Sequence, residues 1–429
     1  MDASCAPRAA PTFSFRAVVI EMHVPAVDPV YSGAWEAQAW QTIEHNVRIF
    51  RGETIVQPSP SYEGLWARDT MIIALGLLDL GRADLAGQLL RTWATYQIRP
   101  DDAPADYVLL NKQRLNWTPA EISCPDRAWL QDNRGGLATS VYVGRETFPD
   151  GTREIYSCHP DPDSTAWWLM ACGRYTETTG DRQLAAELHE PLQAALDNLV
   201  RRDSDGDLLV EQCPNEDWAD HMRRHGKVTY TQAVWYGAVR AAEPLGLHGP
   251  NPDDVRRAIR RALLRRSGPL DWQCPRDQSK RVAQDFALLI LHGVVDADQA
   301  QWLLRRLDRL DAPHGHRVVT PAFRATRMGP YHFKRGEYQN AGIWTWLTGW
   351  EAQARAMAGD IETARRLLAS CFCPGCNCIY EWVEPKRGSR HNPNFATGAG
   401  SILSALARLR EGGLPHPLRR LTLEAFLLA

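Results

Sequence analysis

Three short stretches decide how the rest of the chain is read. They are Leu80-Gly81-Arg82-Ala83-Asp84-Leu85-Ala86, Thr179-Gly180-Asp181-Arg182-Gln183-Leu184-Ala185 and Ala358-Gly359-Asp360-Ile361-Glu362-Thr363-Ala364. Each closes an apolar run and opens an amphipathic one. Glycine stops a helix by taking the left-handed conformation, which its missing Cβ permits. An aspartate nearby can cap the start of the next helix. The three copies predict antiparallel helix pairs joined by tight turns, as in helical arrays. A looser copy lies between Gly293 and Ala300.

Outward from these junctions the pattern is helical nearly to the end. Twelve helices are predicted, at 36–51, 65–80, 83–97, 163–179, 182–202, 228–244, 252–267, 280–292, 297–309, 338–358, 361–371 and 394–411. The first member of a pair is apolar all round, as in 70–78, 166–170 and 343–347. The second is striped: Leu85, Leu89, Trp93 and Tyr96 share one face. Helices apolar all round belong inside and striped ones outside. Six such pairs predict an all-α fold, an (α/α)6 barrel over residues 36–429, with no strand run interrupting it. An open solenoid is the structural alternative. A Pro- and Ala-rich extension, 1–35, precedes the barrel and holds one candidate strand at Phe13–Met22. Long loops at 98–162, 203–227, 310–337 and 372–393 each lead into an inner helix. Loops of this length in a compact domain are usually functional, and in a closed barrel they gather at one mouth.

Composition narrows the function class. The 429 residues carry 44% hydrophobic and 23% charged side chains, ordinary for a soluble globular protein. A net charge of −2 gives no general attraction to nucleic acid or anionic membrane. No apolar run approaches the roughly 18–20 residues that span a bilayer. The start, Met1-Asp2-Ala3-Ser4-Cys5, lacks the basic region of a signal peptide. A cytoplasmic location with mostly reduced cysteines is the expectation. The 16 Trp and 12 Tyr supply rings that fill cores and stack on sugars.

Four clusters carry candidate chemistry. Trp66, Arg68 and Asp69 stand at the start of an inner helix, where a guanidinium fork, a carboxylate and an indole suit a sugar ring. An N-cap aspartate with a neighbouring ion pair is the structural alternative. Asp163 precedes Trp167-Trp168 and is equally placed to cap. The densest stretch runs from Gln212 to Tyr236 and holds Asn215, Glu216, Asp217, Trp218, Asp220 and Gln232. Acids beside an indole are costly to ionise, which raises a carboxyl pKa toward neutrality and suits it to proton donation. Spacing does not choose between Asp217 and Asp220. The fourth is Tyr380-Glu381-Trp382, whose alternative is a salt bridge from Glu381 to Arg387 or Arg390.

In order along the chain, Trp66-Ala67-Arg68-Asp69-Thr70, Asp163-Ser-Thr-Ala-Trp167-Trp168, Tyr175-Thr-Glu-Thr-Thr-Gly180-Asp181, Trp218-Ala-Asp220 with the following Val228–Val239 run, and Glu337-Tyr-Gln339-Asn340-Ala-Gly-Ile-Trp344 resemble segments of inverting glycosidases built on (α/α)6 barrels. The alkaline/neutral invertases and the amylo-α-1,6-glucosidase part of glycogen debranching enzymes are similar. The resemblance spans about residues 36–411. It implies Asp220 as general acid and Glu381 as general base, with Trp66, Arg68, Asp69, Gln339, Asn340, Trp344 and Trp382 around the sugar. Inversion needs carboxyl groups about 6.5–9.5 Å apart, with a water between. An exo-acting hydrolase of an α-glucoside or another small glycoside follows, with a small-molecule carbohydrate substrate, no cofactor and no nucleic-acid or membrane partner; a homo-oligomer is compatible with it. Loop 98–162 matches nothing in these families and is expected to shape the entrance.

Other signals are set aside. Cys371-Phe-Cys373-Pro-Gly-Cys376-Asn-Cys378 is more tightly spaced than zinc knuckles, so thiols or a local disulfide are expected rather than a metal. Asp203-Ser-Asp205-Gly-Asp207 lacks the glycine and late glutamate of a calcium loop. His221 with His225, and His314 with His316, lack further ligands. The paired arginines of 256–266 read as solvated surface. Three rival functions remain: a glycoside phosphorylase, which Glu381 argues against; a toroid epimerase or lyase leaning on His159, His221 or His332; and a non-catalytic sugar-binding scaffold.

Overall fold

The computed structural model describes residues 29–110, 123–143, 148–328, 333–373 and 378–410. In chain order its helices are α1 (Pro29–Asn46), α2 (Ala67–Asp79), α3 (Ala83–Ala94), α4 (Arg127–Asp132), α5 (Pro162–Thr179), α6 (Gln183–Glu187) and α7 (His189–Val200). Then come α8 (Thr229–Ala242), α9 (Pro252–Leu263), α10 (Phe286–Leu291), α11 (Ala297–Leu307), α12 (Thr345–Met357), α13 (Ile361–Cys371) and α14 (Ala396–Arg410).

The apolar helices form a ring. α2 packs on α5, α5 on α8, α8 on α10, α10 on α12, α12 on α14, and α14 back on α2. The striped helices lie outside it: α1 on α14, α3 on α2 and α5, α7 on α5 and α8, α9 on α8, α11 on α10, and α13 on α12. This is a closed helical barrel, not an open solenoid. Ring closure between α2 and α14 depends on glycine. A Cβ on Gly76 would sit 2.3 Å from the Gly400 carbonyl oxygen, so no larger residue fits at this spacing.

The junction turns behave as their residues dictate. Gly180 takes φ +69° and donates its N–H to Thr176 O, ending α5. Asp181 accepts from Gln183 N at 2.7 Å, and the Asp360 side chain caps α13 through Thr363 N. Asp84 differs: it lies within the first turn of α3 and pairs with Arg82.

The expected absence of strands is corrected. Short strands recur in the loops that lead into the inner helices. Val47–Phe50 and Glu53–Val56 form a hairpin, so the helix expected over 36–51 ends at Asn46. Gly64–Trp66, Ser140–Tyr142, Arg153–Ile155 and Tyr107–Leu109 make a four-stranded sheet in that order. Ile343–Trp344, Tyr380–Val383 and Arg390–Pro393 make a three-stranded one. Val282–Ala283 and Ile343–Trp344 delay the starts of α10 and α12 to Phe286 and Thr345. Strands of two to four residues are too short to show a period-two pattern in sequence. The candidate strand at Phe13–Met22 lies outside the described residues. Among the described residues, no helix is long and apolar enough to cross a membrane.

Candidate active site

The N-terminal ends of the inner helices meet at one mouth of the barrel, where the strand-bearing loops also lie. Backbone N–H groups at helix N-termini are unpaired and electropositive, so acidic side chains are favoured there. Asp69, Asp163 and Asp285 stand in or just before the first turns of α2, α5 and α10.

Glu381 sits on the central strand Tyr380–Val383, whose burial alternates, so Glu381 and Val383 face inward. It is 4% exposed. Its Oε1 accepts from Tyr62 Oη at 2.5 Å and its Oε2 from Asn392 Nδ2 at 2.8 Å. The expected alternative, pairing with Arg387 or Arg390, is therefore not what its carboxylate does. Burial pushes the carboxyl up to about 7 against the two hydrogen bonds, and the charges of Asp69 and Asp220 push the same way. Asp220 and Glu381 thus act on each other electrostatically from widely separated parts of the chain.

Asp220 lies in the turn ahead of α8, with a side chain 13% exposed. Gln339 clamps that turn. Its Nε2 donates to Trp218 O and to Asp220 Oδ1, at 2.8 and 2.9 Å, and its Oε1 accepts from His221 N at 3.0 Å. Asn215 donates to Asp220 O at 2.6 Å from a left-handed backbone, φ +73°.

Asp217 and Asp220 are distinguished by their surroundings. Asp217 Oδ1 accepts from Arg224 Nη2 and Ala219 N, at 3.0 and 2.8 Å. Its Oδ2 accepts from Arg224 Nε and Gln212 Nε2, at 3.0 and 2.8 Å. Arg224 itself is buried and also binds Asp285 at 2.7 Å and Asp271 at 3.5 Å. Burial raises Asp271 to about 7 despite the guanidinium. Arg224, which no sequence motif singled out, neutralises a buried cluster of three aspartates.

Arg68 bridges Asp69 at 3.2 Å and Asp163 at 3.4 Å. Asp69 also accepts from Thr397 Oγ1 at 2.7 Å, and Asp163 from Tyr230 Oη at 2.9 Å. Neither acts as a helix cap: the cap positions of α2 and α5 are Trp66 and Asp161. Burial raises the carboxyls of both. Trp66 packs edge-on against Tyr62, and Trp344 against Trp218, Tyr338 and Phe395. The Trp344 Nε1 atom is buried without a partner. Trp382 lies flat on His391 at 3.9 Å.

Three of the candidate site residues make internal bonds. Glu216 accepts from Cys213 N and His159 N and pairs with Arg202. Gln232 holds both the N–H and the carbonyl of Val210. Asn340 ties the Phe323 N–H and the Phe333 carbonyl. Their polar atoms are consumed in shaping the loops.

Other residues at this mouth escaped the sequence reading. Tyr338, at φ +45°, is half-buried among aromatic neighbours and feels the charges of Glu381, Asp220 and Asp69. Its phenol interacts with that of Tyr62, the residue that orients the base. Asp161 is 1% exposed, and neither carboxylate oxygen has a hydrogen-bond partner. Burial raises its pKa well above the usual range, reinforced by Asp163 and, further off, by Glu216 and Asp220. The only available signal was position: Asp161 directly precedes the N1 proline of an inner helix.

The metal expectations can be placed too. Asp203, Asp205 and Asp207 converge, but Lys227 Nζ fills the site, 2.6 Å from Asp205 and from Asp207. No other group of three convergent ligands occurs among the described residues. His316 is buried against Glu351 at 2.9 Å, while His221 and His225 face Asp220 and Cys274 respectively. Cys376 and His332 lie outside the described residues.

No protein-family model and no curated protein matches the chain. Solved structures do. The GH63 mannosylglycerate hydrolase of Thermus thermophilus in complex with glucose aligns at TM-score 0.60 and 17% identity, over 86% of this chain and 99% of that one. The same enzyme with Tris and D-glycerate aligns at TM-score 0.63 and 15% identity, over the same shares. A glycosidase variant in complex with glucose aligns at 0.62 and 16%, over 91% of this chain and 100% of the other. At such identities the likeness is one of fold. The chain therefore shares the helical-barrel fold of these glycoside hydrolases, the clan that its sequence motifs resemble.

Proposed function

We propose that this protein is an inverting, exo-acting glycoside hydrolase on an (α/α)6 barrel. Asp220 is the general acid and Glu381 the general base. Asp220 gives its proton to the glycosidic oxygen as the C1–O bond breaks. Glu381 takes a proton from a water whose oxygen bonds C1 from the opposite face. The acid ends ionised and the base protonated, and exchange with solvent restores both.

The observation that carries this reading is the buried Glu381 carboxyl, oriented by Tyr62 and Asn392, at the mouth that Asp220 also faces. A base whose pKa lies near the working pH suits proton abstraction. Arg68, Asp69, Asp161 and Asp163 would hold the hydroxyls of the glycone, and Trp66, Trp344 and Trp382 its apolar face. An α-glucoside is the first substrate class. The structural neighbours were captured with glucose and with D-glycerate, so a hexosyl unit joined to a small hydroxy acid belongs in the same screen.

The experiment is a hydrolysis screen of α-glucosides and glycosylated hydroxy acids, with and without phosphate. Phosphate-independent release of free sugar supports the reading. Dependence on phosphate, or binding without turnover of any glycoside, overturns it.

A further inference from the structure

A second cavity, of about 510 Å³, lies at the opposite end of the ring, among the C-terminal ends of the inner helices. Its cause is the length of α10. Six residues make a helix of about 9 Å, whereas the 14 of α8 and 13 of α12 reach about 20 Å. Beyond Leu291 no inner helix continues this wall, and α11 offers only Ala297, Ala300 and Gln301 to the gap.

The lining is mixed in a specific way. Trp167 and Trp350 stack within it at 5.3 Å. Trp350 and Ser404 are 6% and 4% exposed, yet Trp350 Nε1 and Ser404 Oγ have no hydrogen-bond partner. An unfilled buried donor costs roughly 1–3 kcal/mol, so the indole N–H calls for an acceptor, which Ser404 Oγ and the unpartnered His292 Nε2 of the same lining can also meet as donors. The indole N–H can only donate. Charge points the same way: Arg174, Arg240 and Arg408 outnumber Asp79 and Glu177 in the lining. Arg174 is answered by Asp79 at 2.8 Å. Burial lifts Glu177 to about 6.

We propose that this cavity binds an amphipathic monocarboxylate, its apolar body against Trp167, Trp350 and the aliphatic wall, its oxygens meeting the orphaned donors. The volume is that of an ordinary small-molecule site. The site is separate from the acids and does not depend on the glycosidase reading.

Calorimetric titration of the full chain with octanoate tests it. Saturable binding of one octanoate per chain is expected, with octylammonium at least about tenfold weaker because the charge is reversed. Trp350→Phe keeps the ring but removes the donor and should weaken octanoate about fivefold. Ala300→Leu fills the gap and should weaken it more than tenfold, while added glucose leaves it unchanged. Absence of saturable binding, equal affinity for octylammonium, or full affinity in folded Ala300→Leu and Trp350→Phe proteins overturns the proposal.

Discussion

Tyr62 donates its phenolic O–H to Glu381 Oε1 at 2.5 Å, although the two residues stand 319 apart in sequence. The bond favours the ionised carboxylate, and burial opposes it, leaving the group at about 7. Tyr62→Phe removes the favourable part, so the pKa of Glu381 rises. The acidic limb of kcat/KM should shift to higher pH, with activity at neutral pH falling about tenfold. A pH–rate profile of the variant checks this; an unmoved limb would detach Tyr62 from the base.

Glu381→Gln should separate activity from stability. Hydrolysis should fall by about a thousandfold or more, as expected on losing a general base. Stability should move the other way. The folded-state pKa of Glu381 lies above the ordinary carboxyl value, so its stabilising contribution is present at low pH and lost as pH rises through about 7. Above that pH the wild-type protein carries a buried charge that the variant lacks. The variant should gain up to about 3 kcal/mol there and little in acid, as read by chemical unfolding at several pH values.

Asp217 and Asp220 should fail differently. Asp220→Asn leaves Gln339 and its backbone clamp in place, so the protein should fold normally and lose turnover by about a hundredfold or more. Asp217→Asn breaks a two-point pair with buried Arg224 and should lower the melting temperature. Paired thermal melts and rates distinguish them. Normal turnover in Asp220→Asn would remove it as the acid.

Arg224→Met leaves Asp217, Asp271 and Asp285 without their shared cation. The loss should be about 3–5 kcal/mol, the usual cost of removing one partner from a buried ion cluster. Because the remaining carboxylates can escape by protonation, the deficit should shrink as pH falls. Denaturant titration at two pH values measures both effects.

What the sequence made legible follows from how far each signal is local. The Gly-Asp junctions and the inner and outer faces depend on neighbours within one helix, and most predicted helices are present within a few residues at most ends, although 182–202 divides into α6 and α7 and α4 falls in an expected loop. Strand pairing was missed because partners such as Leu65 and Val141 are distant and each strand has only three residues. Trp66, Arg68 and Asp69 were legible because they occupy one helix start. The roles of Tyr62, Asn392 and Tyr338 were not, since each depends on meeting Glu381 from another part of the barrel. Asn340 and Gln232 show the converse: polar residues in a promising motif whose hydrogen bonds are spent on nearby backbone.

The most direct test of a paired acid and base acting through a water is the configuration of the first sugar released. Proton NMR of the anomeric signal during hydrolysis of an α-glycoside should show the β-anomer appearing first and the α-anomer growing only by mutarotation. Initial release of the α-anomer would mean retention, and would contradict the assignment of Glu381 as a base acting on water.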